Sequence, residues 1–219
     1  MKKLTEKQRA KRKHILDAAI SCFIEKGFHA TSTAEICKAA GMSPGNLFHY
    51  YPTKSAIIEA IAEEDSQDYD KILSDCSSDC SSDCSSDCSS DCSSDCSDES
   101  SPIATIEKIE KIMAALLYLS NEPGYARLSI EIIAEASRNP NIYKIFIEND
   151  KKVRERLVSL IRQGIETGEI DKQINAEQAV SWIMATVDGT IGRKGMGSDY
   201  EWVENLDFLT CMIRKTFAP

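Results

Sequence analysis

The chain has 219 residues, 42% of them hydrophobic and 28% charged, which is enough for one or two compact domains with apolar cores. Its longest apolar runs, such as Ile112 to Leu119, fall far short of the roughly 20 residues that span a bilayer, and no apolar stretch of signal-peptide type follows the basic start MKKLTEKQRAKRKH. The net charge of −9 misleads as a sum: residues 74–101 hold 14 Ser, 7 Asp, 6 Cys and 1 Glu, whereas residues 1–60 hold 10 Lys/Arg against 5 Asp/Glu. The expectation is a soluble, cytoplasmic protein with no membrane partner. A basic head, the place to look for a polyanion, sits on a mildly acidic body.

Outside residues 74–101 nearly every segment reads as helix. Residues 9–26 put Ile15, Ala18, Ala19, Cys22 and Phe23 on one face, and Gly27 supplies a stop. Ser32-Thr33-Ala34-Glu35 has the form of a capping box and opens a short helix that ends near Ala40-Gly41. Ser43-Pro44 opens another, with Ser as cap and Pro at the first helical position, and Pro52 stops it at Tyr51. Thr53 caps a further helix from Lys54 to about Leu73. Beyond residue 101 the pattern predicts helices over about 102–120, 125–137, 141–167, 176–192 and 200–217, with breaks at Pro123-Gly124 and Asn139-Pro140-Asn141. No segment alternates long enough to read as a strand, so the fold class is all-α. The domain reading is a helix-turn-helix head over 1–60 and a helical body over 61–219, interrupted at 74–101.

The interruption is a tandem Ser-Ser-Asp-Cys repeat carrying Cys76, Cys80, Cys84, Cys88, Cys92 and Cys96. Half of it is Ser, and it cannot build a core. A uniform period of four does not resemble metal-site signatures, which mix short and long spacings, so the repeat reads as a low-complexity insertion and no metal or cofactor is expected. The alternative is a thiol strip that senses metal or oxidant. The other cysteines, Cys22, Cys37 and Cys211, each lie in a helical pattern with no paired spacing, which argues against a disulfide scaffold.

Residues 33–51 hold two short helices separated by Gly41-Met42-Ser43, which is helix-turn-helix spacing. Ala34, Ile36, Ala39, Ala40, Met42, Leu47 and Phe48 would hold the pair together, leaving Pro44, Gly45, Asn46, His49 and Tyr50 exposed. A small, polar first turn suits close approach to base edges in a major groove. Lys54 lies in the first turn of its helix, where a cation opposes the helix dipole, and a phosphate partner would explain it. The basic start would add non-specific phosphate attraction or reach into a minor groove. An enzyme is not expected: no Gly-rich phosphate loop, His-Glu-x-x-His or nucleophile elbow is present, and the three histidines (His14, His29, His49) form no evident dyad.

The stretch Ile15 to Ile58, ILDAAISCFIEKGFHATSTAEICKAAGMSPGNLFHYYPTKSAII, resembles the DNA-binding domain of the tetracycline-repressor (TetR) family of transcriptional regulators. Its marks are Gly27-Phe28, Thr31-Ser32-Thr33, Ala40-Gly41 and Gly45-Asn46-Leu47-Phe48-His49-Tyr50-Tyr51 leading to Lys54. LSIEIIAEASRNPNIYKIF and GIETGEIDKQINAEQAVSWIMATVDGT are similar to regulators of the choline-repressor type within that family. The resemblance implies that Thr33, Pro44, Gly45, Asn46, His49, Tyr50 and Lys54 face double-stranded DNA. His49 and residues 44–46 would read bases, while Thr33, Tyr50 and Lys54 would hold phosphates. Family members commonly have Tyr where this chain has Phe48, so Phe48 should pack only.

The resemblance further implies a repressor that binds a near-palindromic operator as a homodimer, through the last two helices, and leaves it when a small-molecule inducer binds the body. Met113, Tyr118, Tyr125, Phe146, Trp182 and Met184 are the candidates for lining the inducer pocket.

Overall fold

A computed structural model describes residues 5–75, 104–122, 124–197 and 202–219, the side chains of residues 202–205 excepted. Nine helices make up the secondary structure of the described residues: α1 (Glu6–Lys26), α2 (Thr33–Ala39), α3 (Pro44–Tyr50), α4 (Lys54–Asp75), α5 (Thr105–Leu119), α6 (Tyr125–Ala136), α7 (Pro140–Thr167), α8 (Ala176–Gly195) and α9 (Trp202–Phe217). The all-α expectation is borne out.

Local chemistry sets the boundaries. Ser32 and Glu35 form the reciprocal capping box, with the Glu35 backbone N–H donating to Ser32 Oγ at 3.2 Å and the Ser32 N–H donating to the Glu35 carboxylate at 2.8 Å. The Lys26 ammonium, 2.5 Å away, joins Ser32 in holding the Glu35 carboxyl down at about 2. Ser43 caps α3 with Pro44 at its first position, and Gly27 closes α1 through an N–H bond to the Phe23 carbonyl. The sequence missed a second capping box, Thr5 with Gln8, which starts α1 at Glu6. Lys7, Arg9, Lys11, Arg12 and Lys13 are therefore helical and not part of an extended arm. α4 continues to Asp75, two residues past the expected end, and the repeat from Cys76 onward lies outside the described residues.

Two apolar cores organise the chain. In the head, Ile15, Phe23, Ile36, Leu47, Tyr51 and Ile58 are almost wholly buried among α1–α4. In the body, Ile112, Leu117, Val153, Leu157, Ile161 and Val180 pack α5, α7 and α8 together, and Ile213 and Phe217 bring α9 onto them. Each such side chain contributes roughly 1.5–3 kcal/mol on burial. α7 packs against α4, α5, α6 and α8 and is the axle of the body. The head core does not stop at residue 60, mid-α4: Ile61 and Ala62 belong to it, and so do Leu128, Ile132 and Ile142 from α6 and α7.

The head therefore rests directly on the body. At one such contact Gly124, the N-cap of α6, has φ +81, and a Cβ there would stand 2.4 Å from Cδ1 of Ile24 in α1. Gly124→Ala is expected to cost about 1–3 kcal/mol, from left-handed strain plus overpacking. Urea unfolding would read this loss, and an unchanged midpoint would show that the contact does not constrain the fold.

Candidate nucleic-acid interface and ligand cavity

The helix-turn-helix is held on α1 by polar contacts as well as by its core. His14 donates Nε2–H to the Ala40 carbonyl at 3.0 Å, fixing the turn. Arg12 donates to the Tyr50 carbonyl at 3.3 Å, and its guanidinium stands 4.4 Å over the buried Tyr51 ring, fixing the C-terminal end of α3. With Leu47 turned inward, α3 presents Pro44, Gly45, Asn46 and His49 to solvent, as the sequence reading expects. Thr33 and Tyr50 are half-buried at its edges, and the His49 and Tyr50 rings meet edge to face. Phe48 departs from expectation. It is 43% exposed on the same outer surface, so it does not act only in packing. A seven-residue helix has room for few inward positions, and Leu47 takes the central one.

Lys54 also departs. Its ammonium donates to the carbonyls of Phe28 at 2.7 Å, His29 at 3.3 Å and Thr31 at 2.8 Å, and lies 4.5 Å over the Phe28 ring. An ammonium has three N–H groups, and all three are engaged. The carbonyls of the α1–α2 corner thus give the cation in the first turn of α4 its partners within the chain. The same corner is tied to α6: Glu131 accepts the Phe28 N–H at 2.9 Å, and the His29 ring lies 2.7 Å from Glu135.

Between α4, α6, α7 and α8 lies a cavity of about 90 Å³ that opens partly to solvent. Its apolar wall includes Ile130, Ile133, Ile142, Phe146, Met184 and Ile191. Its polar groups are Ser129, Asn149 and three carboxylates, Asp65, Asp150 and Asp188, with the Tyr69 ring beside them. Asp65 accepts from the Tyr125 hydroxyl at 2.9 Å, and burial pushes its carboxyl up to about 6. Burial, then the neighbouring Asp150, push Asp188 up as well. Burial raises both Tyr69 and Tyr125, so they stay neutral phenols.

Of the six pocket residues expected from sequence, Phe146 and Met184 line the cavity, and Tyr125 stands one layer behind it through Asp65. The others do not converge there. Met113 is buried in the body core, while Tyr118 and Trp182 are 50% and 42% exposed. The sequence reading missed Asp65, Tyr69, Asn149, Asp150 and Asp188. The available signal was a polar residue inside an apolar helical stripe: Asp65 falls in register with Ile58, Ile61, Ala62, Tyr69 and Ile72.

Among the described residues no group of three or more His, Cys, Asp or Glu side chains could hold a metal ion, and no helix is long and apolar enough to cross a membrane. Two short helices at helix-turn-helix spacing, the second bare along its outer edge, place the chain among helix-turn-helix DNA-binding regulators. Residues 15–61 match the bacterial regulatory proteins of the tetR family, and residues 105–201 match the C-terminal domain of BetI-type transcriptional repressors. The chain is 29% identical over 165 residues to the HTH-type transcriptional regulator UidR of Escherichia coli K12, covering 75% of this chain and 71% of that protein. The regulator RutR of the same organism is 42% identical over 55 residues, 25% of this chain and 26% of its own length. Among solved structures, Salmonella enterica GusR shares 27% identity with a TM-score of 0.67 over 99% of both chains. A TetR regulator from Haloarcula marismortui shares the fold, at 17% identity, with a TM-score of 0.75 over 96% of this chain and 100% of its own. The chain belongs to the TetR family: it is a transcriptional regulator, not an enzyme.

Two outcomes follow from the geometry. Lys54→Ala should weaken DNA binding by loosening the corner, with the slope of log affinity against log salt unchanged. A slope reduced by about one would instead assign the ammonium to a phosphate. Asp65 has a folded pKa above its unfolded value, so its charge costs stability as pH rises through about 4 to 6, and the cost persists above that window. Asp65→Asn, whose side-chain oxygen can still accept from Tyr125, should stabilise the protein at pH 8 by the order of 1–2 kcal/mol and leave it unchanged at pH 4. Unfolding curves at the two pH values decide this.

Proposed function

We propose that the protein is a homodimeric, ligand-released repressor that acts in the cytoplasm and reads a near-palindromic DNA operator with two copies of α3. The observation that carries this reading is the outer edge of α3, where Pro44, Gly45, Asn46, Phe48 and His49 are exposed together. His49 and the small turn at 44–46 contact base edges in the major groove, and Phe48 offers an apolar surface suited to a thymine methyl. Thr33 and Tyr50 flank the groove and hold phosphates, while Lys54 positions α3 indirectly by closing the corner beneath it.

Pairing of two chains through α8 and α9 is supported by the exposed Trp182, Phe208 and Met212 on those helices. One short helix reads only a few base pairs, so two heads set at a fixed spacing are needed for an operator. Release follows from a ligand in the α4–α6–α7–α8 cavity. α6 lends Ser129, Ile130 and Ile133 to the cavity wall and, one helical step away, Glu131 and Glu135 to the head. A ligand that favours one placement of α6 thereby favours one spacing of the heads.

Selection of duplex DNA from a random pool by the full-length protein tests the reading. The expected result is a near-palindromic consensus that His49→Ala binds with relaxed sequence preference. A folded protein that enriches no sequence would overturn it, and a single, non-repeated half-site would overturn the dimeric part.

A further inference from the structure

Most cations of the head have a place in its fold. Arg12 donates to the Tyr50 carbonyl, Lys13 meets Asp17 at 3.2 Å and Glu64 at 3.0 Å, Lys26 meets Glu35, and Lys54 is engaged by three carbonyls. Lys38 lies in the last turn of α2, where a cation suits the helix dipole. Lys7, Arg9 and Lys11 are different: they have no hydrogen bond or ion pair to any described residue. Lys7 and Arg9 stand in the first turn of α1, where a cation opposes the dipole. Lys7 and Lys11 are moreover like charges four residues apart, a pairing that destabilises a helix. Nothing in the fold offsets these costs, whereas a polyanion outside the chain does.

Helical register divides the three. At about 100° per residue, Lys7, Lys11 and His14 fall within about 60° of one another, while Arg9 stands about 160° around the helix from both lysines and close to the register of Lys13. His14 binds the Ala40 carbonyl in the turn ahead of α3, so its side of α1 meets the helix-turn-helix. Lys13 binds Glu64, so the side that Arg9 shares meets α4. We propose that Lys7 and Lys11 grip the phosphate backbone bordering the groove that α3 enters, and that Arg9 and Lys13 do not. From His14 towards the N-terminus, Lys11 and Lys7 extend the helix-turn-helix side of α1 by about 5 and 10 Å along its axis. Phosphate contacts of this kind set the register of a reading helix without carrying sequence information. The inference rests on reading α3 as the helix that contacts bases, and it adds which cations of α1 hold the backbone beside it.

Fluorescence anisotropy of a labelled, mixed-sequence DNA duplex of about 30 base pairs, titrated with the full-length protein between about 50 and 200 mM KCl, tests the assignment. Phosphate contacts are independent of sequence, so the operator need not be known. Glutamine keeps the helix propensity of lysine and removes its charge. Lys7→Gln and Lys11→Gln should each reduce the slope of log affinity against log salt by about one per bound chain, and the double variant should bind about tenfold or more weakly. Arg9→Gln removes the same charge from the opposite side and should leave the slope nearly unchanged. Circular dichroism of each variant should match that of the parent chain. A slope undiminished in the lysine variants would overturn the proposal, and so would an equal loss in Arg9→Gln, which would make the start of α1 a diffuse charge. A parent chain that binds no duplex at the lowest salt would instead bring down the DNA reading itself, and this proposal with it.

Discussion

The corner between α1 and α2 is the joint on which the rest of the molecule turns, and a single ammonium closes it. Residues 27–31 leave α1 without entering α2, so their carbonyls lack helical partners. Lys54 satisfies three of them from the start of α4, and the Thr31 hydroxyl donates to the Gly27 carbonyl at 2.8 Å. From the other side Glu131 accepts the Phe28 N–H. Helices from head and body thus bind one short segment by opposite charges, each matched to backbone groups of complementary sign. A hydrophobic contact could hold the same surfaces together but would not fix their angle. Directional bonds to several backbone groups of one short segment do.

That joint lets two rods cross between the halves. α4 buries Ile57, Ile58 and Ile61 in the head core and carries Asp65 and Tyr69 to the cavity. α6 buries Leu128 and Ile132 against the head, grips the corner with Glu131 and Glu135, and turns Ser129, Ile130 and Ile133 toward the cavity. The Asp65–Tyr125 hydrogen bond links the two rods at the cavity itself. A helix of 12 residues transmits a small rotation along its length, because its own backbone bonds resist bending. The warrant for coupling is therefore contact at both ends of a stiff element, not mere proximity of two sites.

What was legible in the sequence was the local chemistry. The Ser32–Glu35 box, the Ser43-Pro44 start, the Gly27 stop and the Pro52 break each act within four residues, and they place α2 and α3 and so the reading surface. The Thr5–Gln8 box was a local miss, and the other misses are tertiary. Lys54 finds its acceptors 23 to 26 residues back in the chain, where no periodicity reveals them. Phe48 counts as apolar in any pattern, yet in so short a helix apolarity cannot distinguish an inward face from one turned to a partner. Tyr118 and Trp182 were drawn into the pocket by residue type alone, whereas the stripe register of Asp65 carried more information than either.

Asp65 is a costly residue at its place in the fold. In register with Ile61, Tyr69 and Ile72, position 65 would favour folding more with an aliphatic side chain than with a carboxylate lifted to about 6 by burial. Asp188 raises the same difficulty, lifted by burial and then by the neighbouring Asp150. Burial is thus costly for these carboxylates, and Tyr125 at Asp65 and Arg154 at Asp150 offset part of the cost. Because α4 and α6 carry cavity residues and also pack on the head, a ligand bound there would favour one placement of the two helices. In the dimer proposed above, DNA would favour the placement that brings both copies of α3 into register with successive major grooves. Regulation by a ligand requires only that these two placements differ, and the ligand's differential affinity for them sets how strongly it can oppose DNA.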